Sequence, residues 1–95
     1  MQLKDFEMMP TEAPKGVQAI IQFGDEYQLS IIQSDFSYGG SKGLYEIGVF
    51  KNGEMTSLPG ITLPNDTVRG FLTEADVNSV ILKMHTLTRA DPRQV

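Results

Sequence analysis

Ninety-five residues with 40% hydrophobic and 21% charged side chains describe one small globular domain, too short for two and too apolar for an intrinsically disordered chain. With no cysteine and one histidine, disulfides, thiol catalysis and zinc sites built from several imidazoles are excluded. Eight basic against twelve acidic residues give a net charge of −4, which disfavours general nucleic-acid binding, because that needs a basic face to displace counterions. The longest apolar runs are only a few residues, so no membrane span is expected. Met1-Gln2-Leu3-Lys4-Asp5-Phe6-Glu7 carries acids where a signal peptide needs a basic start, and a cytoplasmic protein is expected.

Residues 1–16 read as an N-terminal arm, in which Phe6 and one methionine cover part of the core. A short helix and an extended segment fit it equally well. Pro14 followed by Gly16 suits a type I turn. From Val17 the period becomes two: Val17, Ala19, Ile21 and Phe23 share one face, and Gln18 and Gln22 the other. If Gly24-Asp25-Glu26 forms the loop, Phe23 meets Tyr27, Ile21 meets Leu29 and Ala19 meets Ile31, whereas a one-residue slip puts glutamines among them.

Leu44–Phe50 alternates again, and Lys51-Asn52-Gly53-Glu54 carries the Asn-Gly pair of a type I′ hairpin, setting Lys51 opposite Glu54 and Phe50 opposite Met55. Residues 54–58 form a short fourth strand that ends at a Pro59-Gly60 type II turn. Ile61-Thr62-Leu63 is a brief extended piece. Thr73 and Asp76 resemble a capping box, with Leu72 and Val77 placed as a hydrophobic staple. Val77, Val80, Ile81, Met84 and either Leu87 or Thr88 follow helical spacing over 73–89. Pro92 bars continuation, so 90–95 is expected to fray. The expected fold is α+β: a four-stranded antiparallel sheet of two hairpins within 17–63 and a C-terminal helix packed on one face.

Few residues suggest chemistry. Gly39-Gly40-Ser41-Lys42-Gly43 has the letters of a phosphate cradle, but not the P-loop spacing, and a strand follows it where a helix is required. His85 stands alone at the edge of the helix stripe and reads as a surface residue. Glu46 and Glu54 read as solvated charges and the methionines as apolar fillers. No metal, cofactor or catalytic set is assigned, and the chain is not expected to be an enzyme.

The ten-residue stretch Ser34–Gly43 is the leading functional candidate. Its three glycines and three serines oppose a regular element, and exposed aromatics beside adaptable glycines suit partner binding. Asp35, Phe36, Tyr38, Gly39, Gly40 and Lys42 are the candidate binding residues.

The run Ser37-Tyr38-Gly39-Gly40-Ser41-Lys42-Gly43-Leu44-Tyr45-Glu46, with Pro14-Lys15-Gly16-Val17 before it and Gly70-Phe71-Leu72-Thr73-Glu74 after it, resembles small accessory proteins of bacteriophages and prophages over about Pro14 to Leu87. The resemblance implies a bacterial cytosol, a host-directed role and a protein partner. It assigns no activity and no functional residue. Two other readings stand beside this interaction module: a small-ligand binder or enzyme using Asp35, Tyr38 and Lys42, and a structural homo-oligomer joined through a strand edge or through the outer sheet face bearing Ile20 and Ile32.

Overall fold

A computed structural model describes all residues from Met1 to Val95. The fold is α+β, with a C-terminal helix on an antiparallel sheet, but the sheet has seven strands and not four. They are β1 (Met9–Glu12), β2 (Lys15–Phe23), β3 (Tyr27–Ser34), β4 (Tyr45–Lys51), β5 (Glu54–Met55), β6 (Val68–Leu72) and β7 (Pro92–Gln94). Helix α1 spans Glu74–Thr88. The sheet is five strands wide, because β1 and β7 share one edge of β2 while β5 and β6 share the outer edge of β4.

The central hairpins follow the side-chain pattern. Phe23 pairs with Tyr27, Ile21 with Leu29 and Ala19 with Ile31, so each inward apolar residue meets another, and Gly24 supplies a positive φ of 67° in the connecting loop. The second hairpin pairs Lys51 with Glu54 and Phe50 with Met55 around Asn52 and Gly53, both left-handed as a type I′ turn requires. Lys51 and Glu54 make no ion pair; the Lys51 ammonium lies 5.5 Å from the centroid of the Tyr27 ring.

The three unexpected strands have physical reasons for being silent. β1 and β7 each contain a proline, are mostly exposed, and are held by pairing to β2 and not by an alternating pattern of their own. Residues 90–95 therefore do not fray as expected: Pro92–Gln94 joins the sheet, and the Val95 N–H donates to the Ile20 carbonyl at 3.0 Å. β6 is interrupted by a bulge, since Tyr45 pairs with Leu72 but Ile47 pairs with Arg69. Conversely, the strand expected over 54–58 is only Glu54–Met55. The turn before β2 also differs: Ala13 and Pro14, joined by a cis peptide bond, occupy the loop between the paired Glu12 and Lys15.

Helix α1 begins where its cap dictates. The Asp76 N–H donates to Thr73 Oγ1 at 3.1 Å, and the Thr73 N–H donates to the Asp76 carboxylate at 3.0 Å. Val77, Val80, Ile81 and Met84 are buried, each worth about 1.5–3 kcal/mol of transfer free energy as an upper bound. The stripe ends on half-buried Thr88, and Leu87 is left exposed. Leu3 and Phe6 of the arm complete the same core as Ile21, Phe23, Leu29, Ile31, Ile47 and Val49, and the Leu3 N–H donates to Asn78 Oδ1 across 2.7 Å.

The Asp76 carboxyl is held below its ordinary value of 3.8, first by the hydrogen bond from the Thr73 backbone, then by its side-chain bond with Thr73, with a smaller attraction from Arg69. A carboxylate with a depressed folded-state value adds stability above its unfolded value and loses it as pH falls through the folded one. Thr73→Ala should lower stability by about 0.5–2 kcal/mol at neutral pH. The melting-temperature gap between wild type and Asp76→Asn should narrow as acid is added below pH 3.8. A gap unchanged down to complete protonation would contradict this assignment.

Candidate functional site

The Ser34–Gly43 segment is folded tightly against the sheet. At its start, the Ser34 N–H donates to Ser37 Oγ at 2.9 Å and the Ser37 N–H donates to Ser34 Oγ at 3.1 Å, while the Asp35 N–H reaches back to the Lys15 carbonyl. Residues Gly40–Lys42 make a 3-10 turn flanked by Gly39 and Gly43, both left-handed, with φ of 88° and 75°. The sequence expects no regular element here; the structure supplies one turn.

Glycine is required by contact around the segment, most tightly at Gly40 and Gly70. A methyl group on Gly40 would lie 1.8 Å from the Ser34 carbonyl oxygen, and one on Gly70 of β6 would lie 2.3 Å from Tyr38 Cβ. Bare backbone at both positions lets the segment sit directly on the end of β3 and on β6.

Tyr38 is the point of attachment. Its N–H donates to Glu46 Oε1 at 2.7 Å, so Glu46 braces the segment and is not the purely solvated charge expected. Its carbonyl accepts the Phe71 N–H at 3.1 Å. The Tyr38 and Phe71 rings stack with centroids 6.4 Å apart and planes 22° apart. They form a shelf that stays open to solvent, Tyr38 at 59% and Phe71 at 58% of full exposure, and Phe36, two residues before Tyr38, is 85% exposed.

Phe71 adopts φ 57°, the left-handed region that costs a non-glycine residue roughly 1–2 kcal/mol. The bulge explains how it arises: Gly70 and Phe71 together span the single β4 residue Glu46. Asp66 opens β6 by accepting the Thr67 N–H at 2.7 Å and the Val68 N–H at 3.3 Å. Beside the shelf runs an open groove of about 370 Å³ lined by Tyr38, Leu63, Val68, Gly70 and Phe71 together with the charged Asp66 and Arg69.

Of the six sequence-derived candidates, Tyr38, Gly39 and Gly40 belong to the docked part of the segment. Asp35 and Phe36 are exposed at its start, next to the end of β3, and Lys42 lies exposed on the 3-10 turn. Phe71, Gly70 and Leu63 were not among the candidate site residues and Glu46 was read as a solvated charge; the clue available was Gly70-Phe71 in a stretch lacking both strand and helix periodicity. The arrangement offers stacking and apolar contact. Elsewhere, His85 Nδ1 lies 2.9 Å from the Ala90 carbonyl and 3.6 Å from Asp91, closing the C-terminal end of α1. No group of three or more acidic or histidine side chains is arranged to hold a metal, and no helix is long and apolar enough to cross a membrane.

No family model, curated protein or solved structure matches the chain. The resemblance to phage accessory proteins therefore rests on the quoted residues alone.

Proposed function

We propose that this chain is a protein-interaction module whose contact surface is the Tyr38–Phe71 shelf with Phe36 at its margin. The observation that carries the reading is that two stacked aromatic rings are left exposed at the cost of left-handed backbone at Phe71. Strain retained at an exposed apolar residue indicates a use for that residue beyond folding. Aromatic anchors on rigid backbone lose little conformational entropy on binding and are favoured at the centres of interfaces.

The phage resemblance adds a proposed setting, in which the partner is a bacterial host protein that the module inhibits or recruits. Affinity purification from bacterial cytosol should retain a specific protein on the wild type. A Phe36→Ala/Tyr38→Ala double variant with wild-type circular dichroism should retain at most about one tenth as much. Equal retention on both proteins, or none on the wild type, would refute the assignment of the surface.

A small-ligand reading draws on the groove beside the shelf, with Asp35 and Lys42 nearby in sequence. A ligand binding only the folded state raises its melting temperature. Under the interaction reading, nucleotides, sugars and metal ions leave the melting temperature unchanged.

A further inference from the structure

We infer that Asn52-Gly53, the turn between β4 and β5, is a self-modification site, at which the Gly53 backbone nitrogen attacks the Asn52 side chain and converts it to aspartate and isoaspartate. The inference is independent of the Tyr38–Phe71 shelf. In the first step the bond from Gly53 N to Asn52 Cγ forms, the Cγ–Nδ2 bond breaks, and ammonia leaves with the proton of the Gly53 amide. The product is a five-membered imide. In the second step water adds to one of the two imide carbonyls and the C–N bond at that carbonyl opens. Opening at Cγ leaves aspartate, and opening at the main-chain carbonyl carbon leaves isoaspartate. Water is the only co-reactant.

The chain has three asparagines, and the structure separates them. Ring closure needs an unengaged backbone nitrogen on the following residue. The Asp66 N–H, after Asn65, donates to the Leu63 carbonyl at 3.0 Å, and the Ser79 N–H, after Asn78, lies within the hydrogen-bond ladder of α1. The Gly53 N–H has no acceptor in the protein. The side-chain amide must also be free to turn. Asn78 Oδ1 is held by the Leu3 N–H at 2.7 Å, whereas no hydrogen bond holds the Asn52 side chain. Asn52 and Gly53 are exposed, and no atom lies within 4 Å of the position a Gly53 Cβ would take. Water therefore reaches the imide, and ammonia leaves unobstructed.

The hairpin controls the reaction. Asn52 has φ 52° and Gly53 φ 83°. In the left-handed conformation the next nitrogen lies across the Cα–C bond from Cβ, so the ring closes only when the turn opens. Opening is local, because β5 consists of two exposed residues.

The two products have different consequences. Aspartate followed by glycine suits the same type I′ turn, so Lys51 stays opposite Glu54 and Phe50 opposite Met55. Isoaspartate carries Cβ into the main chain, and a two-residue loop cannot absorb the added backbone atom, so β5 unpairs. The Asn52 N–H, which donates to the Glu26 carbonyl at 2.7 Å, precedes the altered linkage and keeps its bond.

Folded wild-type chain aged in heavy-oxygen water at mildly alkaline pH tests the site by digestion and mass spectrometry. The peptide spanning residues 52–53 should carry heavy oxygen, with aspartate and isoaspartate both present at position 52. Conversion there should outrun conversion at Asn65 and Asn78 by at least about tenfold. The separated isoaspartate form should lose the through-space NMR contacts between Phe50 and Met55, which the Asn52→Asp variant should keep. Conversion at Asn52 no faster than at the other two asparagines, or conversion without heavy oxygen, would overturn the site. An isoaspartate form that keeps the Phe50–Met55 contacts would overturn the effect on β5.

Discussion

Phe71→Gly is expected to leave stability within about 1 kcal/mol of wild type while weakening partner capture about tenfold or more. The reasoning balances opposed terms. Glycine removes the left-handed strain at φ 57°, worth roughly 1–2 kcal/mol. It also adds unfolded-chain entropy worth roughly 0.5–1 kcal/mol and deletes the stacking with Tyr38, worth about 0.5–1.5 kcal/mol. Phe71→Ala loses the ring but retains the strain, so the glycine variant should be more stable than the alanine variant by about 1 kcal/mol in urea unfolding. Both variants lack the aromatic anchor and should bind poorly. An alanine variant as stable as the glycine one would mean that the backbone at this position is not strained.

The second large effect is expected at Gly40. Its substitution by alanine places a methyl group 1.8 Å from the Ser34 carbonyl oxygen and 2.5 Å from Ser37 Oγ. Relief requires moving backbone at the end of β3 and breaking the reciprocal Ser34–Ser37 bonds, so a loss of about 2–3 kcal/mol is expected from overpacking. Gly43 provides the contrast within the same segment. No atom lies within 4 Å of the position its Cβ would take, although its φ is 75°, so Gly43→Ala should cost only the strain of about 1–2 kcal/mol. Equal losses at the two positions would show that conformation alone, and not the docking of the segment, sets the requirement for glycine.

These two expectations mark where the sequence was informative and where it was not. The β2–β3 and β4–β5 registers were readable because period-two alternation and the Asn52-Gly53 turn are local signals that agree with the tertiary result. The start of α1 was readable from Thr73, Asp76, Leu72 and Val77. By contrast, β1, β6 and β7 owe their existence to pairing with strands already in place. Pro10, Pro92 and the two-residue bulge at Gly70-Phe71 removed the alternation that would have announced them.

The site was half legible for the same reason. Tyr38 and its glycines stood out by composition, but composition suggested an adaptable loop. In the structure Gly40 serves a close approach to Ser34, and Gly39 is left-handed within a segment held to Glu46 and Phe71. Phe71 was invisible because its importance depends on a bulge and on a partner residue 33 positions earlier, a distance no local window spans.

The most direct test of the proposed contact surface is a hydrogen–deuterium exchange footprint on the complex with a protein that the wild type retains from bacterial cytosol. The proposed interface predicts slowed exchange in residues 36–43 and 69–72, with the exposed α1 face at Leu82 and Leu87 unchanged. Slowing confined to α1, or no change around Tyr38 and Phe71, would contradict it.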